Sequence, residues 1–288
     1  MTDETRSSPA IAGSWKNSGE RVASEPRPGE VWPVYSGKSF NIWQPDTGDY
    51  YDSVDAVSIT THLHLKRLSQ SRTARSAFAE LSEALLSDSA TLPCRHARIT
   101  FRNVARSTDT RTIVAALVPP DRVIAHHAPY LLRTAGSARD EAYVLGVLSS
   151  MAGDWQIRRT VELNLTFEQL SLLTIPDPGD GHPVRDRVVE IAGRLAAIDE
   201  RFSEWAAEVG VPVGSANDEA VKEDLICELD ACVALLYGLD EDDLSVIYET
   251  FSETVDYAER HAAVLGHFRR WGSPHDRPTG PGVGEHGQ

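Results

Sequence analysis

Eight apolar residues, Val184, Val188, Ile191, Leu195, Ile198, Phe202, Trp205 and Val209, recur at alternating intervals of four and three. An α-helix brings such positions onto one face, because its 3.6-residue turn aligns i, i+4 and i+7. The spacing predicts one long helix with a heptad-like seam, stopped near Gly210 and Pro212. A seam of this length has to be covered. A second copy or another protein segment would serve, but packing against later helices of the same chain is the more common solution. Two such helices follow. Val221, Leu225, Leu229, Val233 and Leu236 share a face that ends at Gly238, with Tyr237 and Leu239 assigned to the core. A third helix begins near the acids Asp240 to Asp243, which suit a helix N-terminus, and turns Leu244, Ile247, Tyr248 and Phe251 inward.

Upstream the period changes. In Arg98-Ile-Thr-Phe-Arg102 the residues Ile99 and Phe101 alternate with polar ones, as on a half-buried strand. Thr112 to Val118 is a continuous apolar run closed by Pro119-Pro120, the pattern of a buried strand. A turn through Ser107, Thr108 and Asp109 joins the two, and Val123 to His127 reads as a third strand. Glu141 to Met151 has helical spacing through Val144, Val147, Leu148 and Met151. The expected fold class is α+β: a mixed-sheet domain over 31–178, then a helical region over 179–271. Residues 1–30 and 272–288 lack apolar periodicity and read as disordered tails.

The formal net charge of −15 is unevenly placed. Between Thr91 and Thr160 ten arginines stand against five acids, a net +5, whereas 161–260 has 24 acids against six cations, a net −18. All the cations of the middle segment are arginine, whose planar fork suits phosphates and guanine edges. Cys94, Cys227 and Cys232 form no Cys-x-x-Cys pair and read as buried, reduced thiols. No apolar run reaches the ~20 residues of a membrane span, and the N-terminus lacks a signal-peptide pattern. The chain reads as cytoplasmic.

Several chemistries are missing. Adenine methyltransferases hold a flipped base with an Asn/Asp/Ser-Pro-Pro-aromatic motif, but the one Pro-Pro here lies in Val118-Pro119-Pro120-Asp121. No glycine-rich turn suits S-adenosylmethionine. Ser36-Gly37-Lys38-Ser39 resembles the end of a phosphate loop, yet Trp32 stands where its first glycine belongs. None of the four lysines follows an acid at the Asp/Glu-x-Lys spacing of metal-dependent nucleases. His62 and His64, like His126 and His127, have no carboxylate or cysteine at ligand spacing, so satisfied or surface histidines are the better account than a metal site. No catalytic motif and no metal site is expected.

The remaining motifs resemble those of a family. Pro33-Val-Tyr-Ser-Gly-Lys-Ser-Phe40, followed by Asn41-Ile-Trp-Gln, is similar to the start of the specificity region of Eco57I-like adenine-specific DNA methyltransferases, which include type IIG restriction enzymes and the methyltransferases of BREX and DISARM phage-defence systems. Arg98 to Thr112 is similar to their Arg…Arg-x-Ile…Thr-Asn-x-Arg-Thr segment, with Val104 for Ile and Asp109 for Asn, and Ile113 to Pro120 to the apolar strand after it. Tyr143 to Ser150 resembles their Leu-x-x-Leu-Asn-Ser helix, with Ser149 for Asn. Trp155 and Arg158-Arg159 follow in place, Leu173-Thr-Ile-Pro-Asp-Pro178 resembles the Leu-Pro-Ile-Pro exit, and Leu229 to Leu239 the C-terminal Ile-Asp-Ala-x-Val-Ala-x-Leu-Tyr-Gly-Leu helix. The order and spacing of these short matches, over about Val31 to Phe251, carry the resemblance.

What the resemblance implies is a target-recognition domain that reads duplex DNA in a restriction-modification or phage-defence system. The methyltransferase catalytic half does not precede Val31 in this sequence. Methyl transfer from S-adenosylmethionine would belong to a partner subunit or a missing domain, with no cofactor in this chain. The implied DNA-contacting set is Arg98, Arg102, Arg106, Thr108, Arg111, Arg158, Arg159, Lys66 and Arg67. Arg98, Arg102 and Arg106 fit a phosphate-contacting strip or a solvated strand face, and with the resemblance the phosphate-contacting reading is favoured for Arg102 and Arg106. Thr108 and Arg111 either reach DNA or shape their turn. Arg158 and Arg159 also suit a helix C-terminus. Lys66 and Arg67, with Arg72 and Arg75, also suit a solvated helix face. The alternative function is a protein–protein adaptor, or a remnant, within a defence complex, favoured by the acidic helical region.

Overall fold

The computed structural model describes residues 25–251 and 255–273. The two tails assigned above therefore lie almost entirely outside the described residues. In chain order the elements are β1 (Val31–Tyr35), β2 (Asp52–Asp55), α1 (Ala56–Gln70), α2 (Glu83–Ser87), β3 (Arg98–Phe101), β4 (Ala115–Val118), β5 (Val123–Ile124), α3 (Ala138–Ser149), α4 (Met151–Arg158), α5 (Phe167–Leu170), α6 (Pro183–Ala196), α7 (Ser203–Val209), α8 (Glu219–Leu236), α9 (Glu241–Phe251) and α10 (Ala258–Gly272). The fold is α+β, with two small sheets followed by a helical C-terminal region.

One sheet has the order β2-β1-β5, with β1 antiparallel to β2 and parallel to β5. The other is the antiparallel pair β3–β4, in which Ile99 faces Leu117 and Phe101 faces Ala115. All eight residues of this pair are buried, so the half-exposed face expected of β3 does not exist. The strand β4 starts at Ala115 rather than Thr112, because the N–H groups of Thr112 and Ile113 bond the Asp154 carboxylate instead of a ladder partner. β5 is two residues long. Beyond it the Ala128 N–H bonds the Ala125 carbonyl and the chain turns before reaching Pro129.

The largest core cluster joins β3 and β4 to α3, α4 and the later helices without a break at residue 178. Its centre is the close approach of α3, α6 and α8. Gly146 of α3 makes this possible: a Cβ there would lie 2.8 Å from Val188 Cγ1 and 3.3 Å from Leu229 Cδ1. The capping chemistry agrees with the packing. Asp140 accepts from the Ser137 N–H at the start of α3, and Asp218 accepts from the Val221 N–H at the start of α8. At the start of α9, Asp240 and Asp243 each accept the other's backbone N–H.

Two helices expected to be continuous are broken. The seam of Val184 to Val209 is divided between α6 and α7. The Ala197 carbonyl takes the Gly214 N–H, and Asp199 accepts from the Arg201 N–H to start a 3₁₀ turn. Seven seam residues are nonetheless buried and Ile198 packs against them, because α6 and α7 both turn these residues into the same core cluster. They are covered within the chain. The helix expected over 141–151 ends at Ser149. Ser150 is extended (φ −78°, ψ 156°) and its hydroxyl accepts from the Gly153 N–H, restarting the chain as α4. The fifth helix of the region, α10, packs its Val264, Phe268 and Trp271 against α8.

Candidate nucleic-acid interface

The segment 102–111 leaves β3 and returns towards β4 as a loop whose ends are fastened to buried structure. At its start the Asn103 N–H donates to the His127 carbonyl, the Leu165 N–H donates to the Asn103 carbonyl, and the Ala105 N–H donates to the Leu163 carbonyl. At its end stands Asp154, whose side chain is fully buried and accepts from the Arg111 Nε at 2.8 Å and from the N–H groups of Thr112 (3.0 Å) and Ile113 (3.1 Å). Arg111 also donates to the carbonyls of Ser149 and Ser150, the residues between α3 and α4. In mid-loop the Asp109 carboxylate accepts from the Arg106 N–H and the Asp109 carbonyl accepts from Arg158. These bonds spend the loop's backbone polarity internally and leave Arg106 and Thr108 exposed.

The nine residues implied by the sequence are thereby sorted. Arg106, Thr108, Arg159 and Lys66 are exposed. Arg102 is half-buried: one guanidinium nitrogen donates to the Phe40 carbonyl, and burial draws the group below the ordinary arginine pKa. Arg111 and Arg158 are half-buried and act as braces of the loop, with Arg158 stacked 4.1 Å over Phe251 and Arg159 5.0 Å over Trp155. Arg67 and Arg98 are 2% and 5% exposed, and their guanidiniums bond carbonyls and a hydroxyl inside the protein. The solvated strand face assigned to Arg98 is thus an interior position, and so is the helix face assigned to Arg67. Lys66 lies on α1, near the Arg98 end of β3, while the loop leaves from the Phe101 end, so the two basic groups form separate surfaces.

The structure adds neighbours that the sequence did not single out. The turn Ser36-Gly37-Lys38 packs against Arg102: the side chain's Cγ lies 3.5 Å from where a Gly37 Cβ would stand, and the His127 carbonyl 3.6 Å from it. This places Lys38, His126 and His127, all exposed, beside the loop. Nothing in the local sequence announces it, because the contact spans more than 60 positions. Val104, Leu163, Phe167 and Leu172 are exposed apolar side chains of the loop and of the segment after α4, which the bridge of Val104 with Asn164 joins. Among the described residues no cluster of His, Cys, Asp and Glu has a metal-binding arrangement, and no helix is long and apolar enough to cross a membrane.

No family model and no curated protein matches the chain. Among solved structures, a type IIL restriction-modification enzyme, MmeI, in complex with DNA aligns over 83% of this chain at 13% identity and a TM-score of 0.34, a likeness too small to establish a common fold. The chain spans 30% of the length of that enzyme.

Proposed function

We propose that this chain recognises duplex DNA as the target-recognition part of an adenine-N6 methyltransferase in a restriction-modification or phage-defence system. The observation that carries the proposal is the braced loop 102–111, which presents Arg106 and Thr108 to solvent on a rigid base next to Lys38 and Arg159. Holding the loop in advance lowers the ordering cost of binding. Arginine and lysine would take phosphates, with Arg106 or Thr108 reaching base edges from the loop tip. The order of motifs along the sequence supports the same reading. In it, S-adenosylmethionine and the transfer step reside on a partner subunit or domain.

The test is duplex-DNA binding by the full chain across a series of salt concentrations, with Arg106→Ala and Lys38→Gln beside the unsubstituted protein. Each phosphate contact contributes a slope of about −0.9 in log K against log salt, so each variant should bind more weakly and lose about one unit of slope. Absence of binding at low salt overturns the proposal. It would favour the second reading, a protein–protein adaptor, to which the exposed Val104, Leu163, Phe167 and Leu172 point.

A further inference from the structure

At the opposite end of β3 a cavity of about 560 Å³ opens between the segment following α1, the Arg98 strand end, the turn at Asp121 and α7. Its volume is within the range of small-molecule sites, roughly 300–1,000 Å³. Phe78, Leu81, Leu85, Leu131 and Leu132 give it an apolar lining. Arg67 and Arg98 also line it.

These two guanidiniums are buried without a counterion. Arg67 donates to the Thr91 hydroxyl (2.9 Å) and to the carbonyls of Leu86 (3.1 Å) and Asp88 (2.7 Å). Arg98 donates to the carbonyls of His96 (3.2 Å) and Arg122 (2.7 Å) and lies 5.2 Å over the Tyr130 ring. No carboxylate lies within 4.0 Å of either among the described residues, and both Nε atoms lack an acceptor. A guanidinium carries five N–H hydrogens, so the five bonds above satisfy half of what the pair offers. Burial draws both groups below the ordinary arginine value. A buried arginine is normally matched by an acid in contact with it; here the charges of Asp88 and Asp121 reach Arg67 and Arg98 only from beyond 4.0 Å.

The acids of the cavity are otherwise engaged. Asp121 pairs with Arg95, and Glu141 faces Arg133 at 3.4 Å while accepting from the Trp205 indole. Glu200, Glu204 and Glu208 are exposed at the mouth, where water screens them. The unmatched charge of the interior is therefore positive and sits on the Arg67–Arg98 side. Asp121 marks the same wall with a left-handed backbone conformation (φ 61°), which non-glycine residues seldom adopt.

We infer that this cavity is a binding site for a small molecule with an apolar body and a single anionic head, the head supplying the counterion that Arg67 and Arg98 lack. The inference does not depend on DNA binding, because the cavity and the loop 102–111 are at opposite ends of β3.

The experiment is a fluorescence titration of the full chain with 8-anilinonaphthalene-1-sulfonate and with its neutral relative N-phenyl-1-naphthylamine. The anionic probe should saturate at one per chain and bind about tenfold or more tighter than the neutral one, the size expected of a charge-assisted bond. Arg67→Gln should weaken it about tenfold, while Arg106→Ala, on the exposed loop, should leave it unchanged. Equal affinity for the two probes, or no saturable site, would overturn the inference. So would loss of binding in Arg106→Ala with none in Arg67→Gln. If Arg67→Gln does not fold, the contrast between the probes on the unsubstituted chain decides the question.

Discussion

Truncating Asp154 to alanine removes the acceptor on which the loop 102–111 and the start of β4 both depend. The carboxylate is fully buried and holds the guanidinium of Arg111 at 2.8 Å and, more loosely at 3.8 Å, that of Arg158, together with the N–H groups of Thr112 and Ile113. Deleting it leaves an arginine whose side chain is 14% exposed without the carboxylate it touches and two buried N–H groups without an acceptor. Breaking a buried pair by removing one partner costs about 3–5 kcal/mol, and each orphaned N–H about 1–3 kcal/mol. The terms share one acceptor and are not additive, which places the loss near 4 kcal/mol. For a domain of this size that lowers the melting temperature by roughly 8–16 °C. Thermal unfolding followed by circular dichroism measures it directly. Asp154→Asn keeps one carbonyl oxygen for the N–H groups but not the charge, and should fall between the two proteins. If Asp154→Ala melts within about 2 °C of the unsubstituted chain, the carboxylate does not brace the loop, and the argument that the loop is held in advance for DNA fails with it.

Three further outcomes follow from the core. Gly146→Ala should destabilise the protein by about 1–3 kcal/mol, read by chemical denaturation, since its Cβ would meet Val188, Leu229 and Ala192 where three helices converge. Asp230 is buried and accepts from the Met151 N–H and the Tyr248 hydroxyl; burial raises its pKa, against the pull of Arg111. A carboxyl group raised on folding penalises the native state above its unfolded pKa, so Asp230→Asn should be at least as stable as the parent at pH 7, with the difference closing as pH falls below about 4, as melting at the two pH values would show. Glu228 behaves in the opposite sense. Burial raises its pKa, but the bonds from Arg187, Trp271 and the charge of Arg270 outweigh this and hold it below the usual carboxylate value. Its contribution is present above the unfolded value and is lost as pH falls through the folded one, so acid unfolding should be less steep in Glu228→Gln.

The sequence by itself determined the α+β class, the helical C-terminal region, the buried faces of α6, α7 and α9, that of α8 from Leu225 onward (Val221 at its start is exposed), and the strand core of β3 and β4. These are set by periodicity and by caps such as Asp218 and the Asp240–Asp243 pair, which act within a few residues. Local signals also contained the breaks, once recognised: Asp199 and Ser150 are residues that bond the backbone just ahead of them and so end one helix while starting another. The roles of the arginines belong to the tertiary structure. Arg98 and Arg106 are alike in sequence, yet one is enclosed beside a cavity and the other is exposed. That difference arises because the partners of these side chains lie far along the chain. Asp154 is 43 positions from Arg111, and Phe40 is 62 positions from Arg102. Periodicity states which face of an element is apolar. Only packing decides what covers that face, and therefore which cations are enclosed and which remain exposed.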